Sequence, residues 1–360
     1  MLLVVAPLWL TFWVLGVLAA AIVVVVAVGV TRHLDWVRAG RRREHVRAEL
    51  EPVFSRFLET DDQELLAEEL RPAFMRMDAA HRPVAAVLVT DIMSEASPSQ
   101  KEGLRAGLEE AGIVELGERG TRRLSPWRRA LACEMLGKIG VQGAVPALLV
   151  RVKDRRPEVR TAAVRALGDI GSADAIPALS EAFLERRYAP TNVVNDALCR
   201  IGGDAVTAFE QGVESKDPIV RVSSCYGLSR LASSRTGCVS RLDRVLASDA
   251  DTRVRSAAAA SLGIAGGSDA PPALVGAVTD PDVQVRRSAV RALGSFDDPT
   301  TAGTLDERTE DEDRETALRA AEALIALGRR PRAAPFARAR VESSSAWAVA
   351  YARTVAEVSG

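Results

Sequence analysis

No cysteine pair in this sequence stands at a CxxC or other metal-ligand spacing, and its four cysteines, Cys133, Cys199, Cys225 and Cys238, are scattered. That excludes a thiolate zinc site or a dithiol redox motif of the usual kind. Histidine is as scarce: His33, His45 and His81 all precede the repetitive part of the chain, and none stands in HExxH or a related spacing. A Walker-type glycine loop and a dinucleotide fingerprint are missing too, so the sequence predicts no catalytic residue, no metal and no cofactor. Net charge is nearly nil, with Lys+Arg 47 against Asp+Glu 48. No global basic field draws the chain onto nucleic acid, and such a role would need a local patch. Aromatic residues are only 4%, while alanine, leucine and valine dominate, as tightly packed short helices require.

What is present is a repeat. The stretch from Arg155 to Leu184, RRPEVRTAAVRALGDIGSADAIPALSEAFL, can be laid over the sequence on either side. Its marker, Gly168, has equivalents at Gly137, Cys199, Ser229, Gly263, Gly294 and Ile325, with spacings of 31, 31, 30, 34, 31 and 31 residues. A period of this size is the signature of a solenoid. Within the unit, Val159, Ala162, Ala163, Ala166, Leu167 and Ile170 recur at helical spacing, with Arg160 and Arg165 outside the stripe. Gly171 suits the left-handed position that ends a helix, and Pro177 suits the first turn of the next. The second helix carries Ile176, Leu179, Ala182, Phe183 and Leu184. Neither helix can bury its stripe alone, so pairs must stack on neighbouring pairs. Because each unit packs only on adjacent units, 360 residues do not force a second globular core.

The segments PEVRTAAVRALGDIGSADAIPALSEAF at 157 to 183 and DPDVQVRRSAVRALGSFDDP at 280 to 299 resemble the HEAT repeat, in the short bacterial form also seen in the phycobilin lyase HEAT-like family. The resemblance covers residues 123 to 342 and implies an α-solenoid of helix pairs; with the N-terminal transmembrane helix that the apolar run at 2–30 predicts, the expected fold is all-α. Fold resemblance alone says little about function, because this fold serves unrelated tasks.

The first 31 residues carry no charged side chain, and the apolar run over 2–30 exceeds the roughly 20 residues that cross a bilayer. A cleaved signal peptide competes, but it calls for a basic start and a short apolar core, whereas this chain begins Met-Leu-Leu and stays apolar through Val30. Arg32, Arg38, Arg41, Arg42 and Arg43 follow against a lone Asp35, with Trp36 at an interfacial position. Basic flanks stay on the cytoplasmic side, so the expectation is a single-pass protein of the cytoplasmic membrane with its repeats facing the cytoplasm. The expected organisation is an anchor over 1–31, juxtamembrane helices and degenerate capping repeats over 32–122, seven repeats over 123–342 and a capping helix over 343–360. In the capping region Val46, Leu50, Val53, Phe54 and Phe57 form one stripe. Thr60-Asp61-Asp62 marks a new start, Leu65, Leu66 and Leu70 continue into Phe74 and Met75, and two further helices span Val84 to Met93 and Glu102 to Ala111. The last helix presents Trp347, Val349, Tyr351 and Val355.

Two charge patterns remain. Eight residues before the marker an arginine recurs, at Arg129, Arg160, Arg221, Arg255 and Arg286, with Thr191 and Ala317 breaking the series. Stacking predicts a ladder that braces neighbouring units through carbonyls or acids, with Asp217 and Asp280 as partners or helix caps; a ligand-binding row is the alternative. The early units are basic (Arg119, Arg122, Arg123, Arg128, Arg151, Lys153, Arg155, Arg156), and a later turn is acidic (Asp306, Glu307, Glu310 to Asp313, Glu315).

Three functional classes stay open. The best-fitting is a membrane-tethered scaffold or adaptor whose second helices grip a protein partner, with Arg151, Glu181, Glu185, Arg186, Arg187 and Tyr188 as candidate contacts. The connector Arg186 to Pro190 draws attention because it replaces a normal unit start. The overall plan also resembles a group of bacterial membrane HEAT proteins, and that resemblance implies an accessory role beside a membrane enzyme such as a glycosyltransferase. The other classes are a bilin-lyase-like enzyme and a binder of lipid or nucleic acid through the basic early repeats, with nucleic acid disfavoured by the anchor. The oligomeric state is not encoded in any motif.

Overall fold

The computed structural model describes residues 39–57, 63–77, 81–110, 112–232, 237–269, 271–344 and 346–359. The apolar run at 2–30, and with it Arg32, Trp36 and Arg38, lies outside the described residues, as does the Thr60-Asp61-Asp62 turn. Among the described residues no helix is long and apolar enough to cross a membrane.

The chain divides into two compact units, one ending at Leu116 and the other running from Gly117 to Gly360. In the first, α1 (39–57) buries Val46, Leu50, Val53, Phe54 and Phe57, the stripe expected of the capping region, so it belongs to a packed core. Arg41, Arg42 and Arg43 are exposed on it. Helix α2 (Gln63–Arg76) turns Leu70 inward but leaves Met75 exposed, against the expected continuation of its stripe. The expected helices further on are α3 (Arg82–Glu95) and α4 (Pro98–Glu110). Ser97 and Gln100 open α4 as a reciprocal capping box: the Gln100 N–H donates to Ser97 Oγ and the Ser97 N–H to Gln100 Oε1. A short helix absent from the sequence reading, α5 (Ile113–Gly120), follows. Its Gly117 and Gly120 lie against Met135, Leu136 and Ala132, which places the start of the second unit before the expected boundary at 123.

The second unit is an all-α solenoid of seven helix pairs. They are α6 (Pro126–Ile139) with α7 (Val145–Val152), α8 (Pro157–Ile170) with α9 (Ile176–Leu184), and α10 (Thr191–Ile201) with α11 (Val206–Gly212). Then come α12 (Pro218–Leu231) with α13 (Cys238–Ser248), α14 (Thr252–Ala265) with α15 (Pro272–Gly276), α16 (Val283–Leu293) with α17 (Thr301–Arg308), and α18 (Arg314–Leu327) with α19 (Ala334–Ser343). Helix α20 (Trp347–Ser359) closes the array. Gly171 takes the left-handed conformation (φ 73°) that ends α8, and Pro177 sits in the first turn of α9. In α8 the core includes Val164 besides the predicted stripe, because a first helix touches a neighbour on each side.

The marker position has a steric reason. A Cβ built on Gly137 would lie 2.5 Å from Ala166 Cα, and one on Gly168 2.6 Å from Ala197 Cα. Gly263 and Gly294 abut Ala292 and Ala323 in the same way. Each glycine thus lets one first helix approach the backbone of the next. Cys199 occupies the third marker and is half-buried.

The closing helix also departs from expectation. Its buried face is Ala348, Val349 and Ala352, packed on Ala317 and Ala321 of α18, while Trp347, Tyr351 and Val355 are about half exposed. Alanines facing alanines bring the two helices too close to admit an indole. Trp347 lies instead beneath the Arg314 guanidinium, 5.7 Å from ring centre to carbon.

Candidate functional site

The recurrent arginines form the predicted brace, with a regular geometry. Arg129 donates through Nε (3.1 Å) and Nη2 (2.9 Å) to the carboxylate of Asp154 in the following unit. Its Nη1 binds the carbonyls of Arg123 and Leu124 in its own turn. Arg221 clamps Asp249 and Arg255 clamps Asp280 by the same fork, and Arg286 meets Asp311 at 3.4 Å. Each Asp also accepts the backbone N–H two residues on, which shapes the turn before the next helix. The guanidinium groups are spent on these bonds, so the row is structural and not a ligand-binding series. Asp280 is a rung, as expected, whereas Asp217 caps α12 through the Ile219 N–H. The rung acids Asp154, Asp249 and Asp311 escaped the sequence reading, although an Asp six residues before the next position of the series, filled by Arg160, Arg255 and Ala317, is the signal.

Rungs are interrupted between the second and fourth pairs. Where the pattern calls for an aspartate, Glu185 is exposed and pairs with Arg187 (3.0 Å). Arg160 donates to the carbonyl of Tyr188 instead. Thr191 replaces the next arginine, and Arg186 supplies a substitute link by donating to Asp217 of the fourth pair (2.8 Å). Making these bonds requires left-handed backbone at Arg186 (φ 50°) and Tyr188 (φ 71°), the non-glycine residues with positive φ among the described residues. Such conformations cost about 1–3 kcal/mol each and persist only where surrounding bonds enforce them.

Five of the six candidate contacts meet here. Glu181 accepts from Lys153 Nζ (3.1 Å) and from the Tyr188 hydroxyl (3.2 Å), and Lys153 stands 5.2 Å from the centre of the Tyr188 ring. The Lys153 hydrogen bond holds the Glu181 carboxyl below its ordinary range, and Glu181 raises the Lys153 ammonium in return. Lys153 was read only as part of the basic run. Arg151, the sixth candidate, is turned towards Asp154 (3.2 Å) and is not available at the surface in the same way. Arg187, Glu185 and Arg186 remain exposed on the connector.

The chemistry of the remaining candidates is quiet. Burial pushes the Cys133 and Cys225 thiols up to about 12 and Cys199 up to about 11, so none supplies a thiolate near neutrality. Among the described residues no cluster of His, Cys, Asp and Glu is arranged to hold a metal ion. Gly266 and Gly267 form the turn of the fifth pair, and the Gly267 carbonyl accepts from the Asp297 N–H. The acidic run is absorbed into bracing: Asp306 meets Arg340, and Asp313 caps α18 while pairing with Arg287.

These pairings set an acid sensitivity. For Asp154 and Asp280, burial is the largest single influence and works to raise the carboxyl, but the arginine hydrogen bond, the backbone N–H two residues on and the nearby arginine charges together leave both lowered. Arg186 lowers Asp217, Arg253 brings Asp251 to about 2, and Arg287 lowers Asp313. Carboxyls depressed in the folded state contribute stability that is present above their unfolded range, about pH 4, and lost as pH falls through the folded values. The melting midpoint is therefore expected to hold between about pH 7 and 5 and to drop below about pH 4. Scanning calorimetry across that range checks this, and a drop already complete by pH 5 would assign the loss to other groups.

Comparisons with known proteins agree with the helix-pair architecture. A family model described as HEAT repeats matches residues 115–199, 206–288 and 272–356, extending past the expected 123–342 at both ends. No curated protein matches the chain in sequence. Among solved structures, similarity is found to an engineered protein (22% identity, 79% of this chain and 85% of that one, TM-score 0.37). Human deoxyhypusine hydroxylase in complex with glycerol is similar at 16% identity, covering 88% of this chain and 96% of that one, with a TM-score of 0.28. The complex of CpcE and CpcF of phycocyanin lyase from Nostoc sp. PCC7120 is similar at 20% identity, covering 72% and 94%, with a TM-score of 0.35. With a family model covering most of the array and the same helix pairs in the fold, the chain belongs to the HEAT repeat family.

Proposed function

We propose that this chain is a non-enzymatic scaffold that binds a membrane-associated protein through the connector at 185–190 and the second helices beside it. The observation that carries the reading is the connector itself. It is built on two non-glycine residues with left-handed backbone, it departs from the ladder of the units around it, and it leaves Glu185 and Arg187 at the surface. A regular array needs none of this for stability, and loops held in shape by a rigid scaffold are where recognition residues concentrate. The uncharged run at 2–30 with its arginine flank supports a position of the array at the cytoplasmic face of a membrane. Tethering raises its effective concentration near membrane partners. A membrane enzyme such as a glycosyltransferase is the partner class that the overall plan suggests.

The test is a photo-crosslinking residue in place of Arg187 in the full-length chain, expressed in membranes, with adducts identified by mass spectrometry. One dominant membrane protein is expected. With the crosslinker moved to Tyr188, the pair E185K and R187E should lower the adduct about tenfold or more, the loss of at least one good contact. An adduct indifferent to charge reversal, or none while helical content is intact, sinks the proposal.

A further inference from the structure

The turns that begin successive first helices lie along one edge of the solenoid, since the arginine ladder, and at its interruption the Arg160–Tyr188 and Arg186–Asp217 links, bond each to the next. Their composition changes steadily along that edge. The first is Arg123-Leu124-Ser125 and the second Asp154-Arg155-Arg156, whereas the last three are Asp249-Ala250-Asp251, Asp280-Pro281-Asp282 and Asp311-Glu312-Asp313. The later helices are capped by aspartates that accept from their first N–H groups. Helix α6 has Ser125 and α8 has Arg156 at the N-cap position, neither making a side-chain cap bond, with arginines around both starts. The array is thus polarised along its axis, basic at its beginning and acidic at its end.

The basic end also exposes large apolar side chains. Leu124 is 98% accessible and Trp127 is 61% accessible, set among exposed Arg119, Arg122, Arg123 and Arg128. None of these four arginines forms an ion pair among the described residues. The segment is not loose: Arg129, itself clamped to Asp154, grips the carbonyls of Arg123 and Leu124 at 2.9 Å each, so the backbone is held while the Leu124 side chain points into solvent. A leucine and a tryptophan framed by unpaired arginines fit one surface chemistry, the headgroup layer of an anionic bilayer. There the arginines meet lipid phosphates, tryptophan prefers the interface, and leucine enters the acyl boundary.

We infer that the turn Arg119–Arg128 is a membrane-contact surface that docks the basic end of the solenoid on anionic lipid, with the acidic end directed away. This contact is separate from the apolar run at 2–30, and it does not rest on the protein-partner reading. An insertion tether leaves the array free to tumble, whereas a second contact sets which way it faces.

The test uses the full-length chain in vesicles of phosphatidylcholine with about 30% phosphatidylglycerol, and a photo-crosslinking residue in place of Leu124 or, as a control, of exposed Ile264. Lipid adducts are expected at 124 and not at 264. The 124 adduct should fall about tenfold in vesicles of phosphatidylcholine alone, and equally in the R122E/R123E/R128E variant, because the arginines supply the attraction. All these sites are exposed, so the fold is expected to survive, which circular dichroism checks. Flotation of the whole protein with vesicles reports on the N-terminal run and should not change. Adducts equal at 124 and 264, or a 124 adduct indifferent to anionic lipid and to charge reversal, overturn the inference. So does capture of nucleic acid or protein in place of lipid when the same probe is used in cells. Failure here leaves the crosslinking result at Arg187 untouched, so the two proposals fail separately.

Discussion

Replacing Asp154 by alanine is expected to destabilise the start of the solenoid by about 3–5 kcal/mol, the usual cost of removing one partner of a buried ion pair. Asp154 accepts two bonds from Arg129, one from Arg151 and one from the Arg156 N–H. Its side chain is 4% exposed and that of Arg129 is 13% exposed, so the guanidinium left behind has little access to water. Its burial separates this rung from surface pairs such as Lys153–Glu181, whose side chains are 53% and 39% exposed and whose charges water screens. Most of the loss comes from the stranded charge, so the double replacement Arg129→Met with Asp154→Leu should recover a large part of it. Urea titrations with hydrogen exchange over the first two pairs measure both variants. A loss under about 1 kcal/mol for D154A would show that the rung behaves as a surface pair.

The same substitution, glycine to alanine, is expected to act with opposite sign at two sites. At Gly168 the added methyl would stand 2.6 Å from Ala197 Cα and 3.3 Å from its carbonyl oxygen. Backbone cannot move aside as a flexible side chain can, so α8 and α10 must separate. Overpacking of this kind costs about 1–3 kcal/mol, which outweighs the roughly 1 kcal/mol that alanine gains in helix propensity. Gly276 is also helical, with φ −66°, but a methyl there meets nothing within 4 Å. Gly276→Ala should therefore stabilise by up to about 1 kcal/mol, because only the propensity effect remains. Thermal melts of the two variants side by side give the answer, and equal shifts of the same sign would mean that the marker glycine is not a packing device.

The helix pairs were legible in the residues because they depend on local rules. A 31-residue period, a 3.6-residue stripe, Gly171 at a helix end and Pro177 at a helix start each act within a few residues, and all agree. The arginine ladder was legible as a recurrence, since a side chain repeated at the unit period must stack on its equivalents. Its acids were harder to read. Asp154 and Asp249 look like ordinary turn residues until the next unit brings a guanidinium to them. The closing helix shows the same limit: of the expected Trp347, Val349, Tyr351 and Val355 only Val349 is buried, and Ala348 and Ala352 fill the rest of the face. Closeness of approach to α18, a property of two helices at once, reverses that choice.

The connector and the basic turn mark where local reading stops. Arg186 and Tyr188 carry no sequence sign of left-handed backbone, and Arg160, with no aspartate across the gap, donates to the Tyr188 carbonyl instead. Arg122, Arg123 and Arg128 could be counted as charges from the sequence, but not as unpaired ones. By itself, then, the sequence determined the repeat, its helix pairs and the existence of the ladder, because these follow from periodic short-range preferences. Which charges are spent on bracing, which apolar side chains are left outside and how the array is polarised were decided only in the tertiary structure, because each depends on what the neighbouring unit brings within bonding distance.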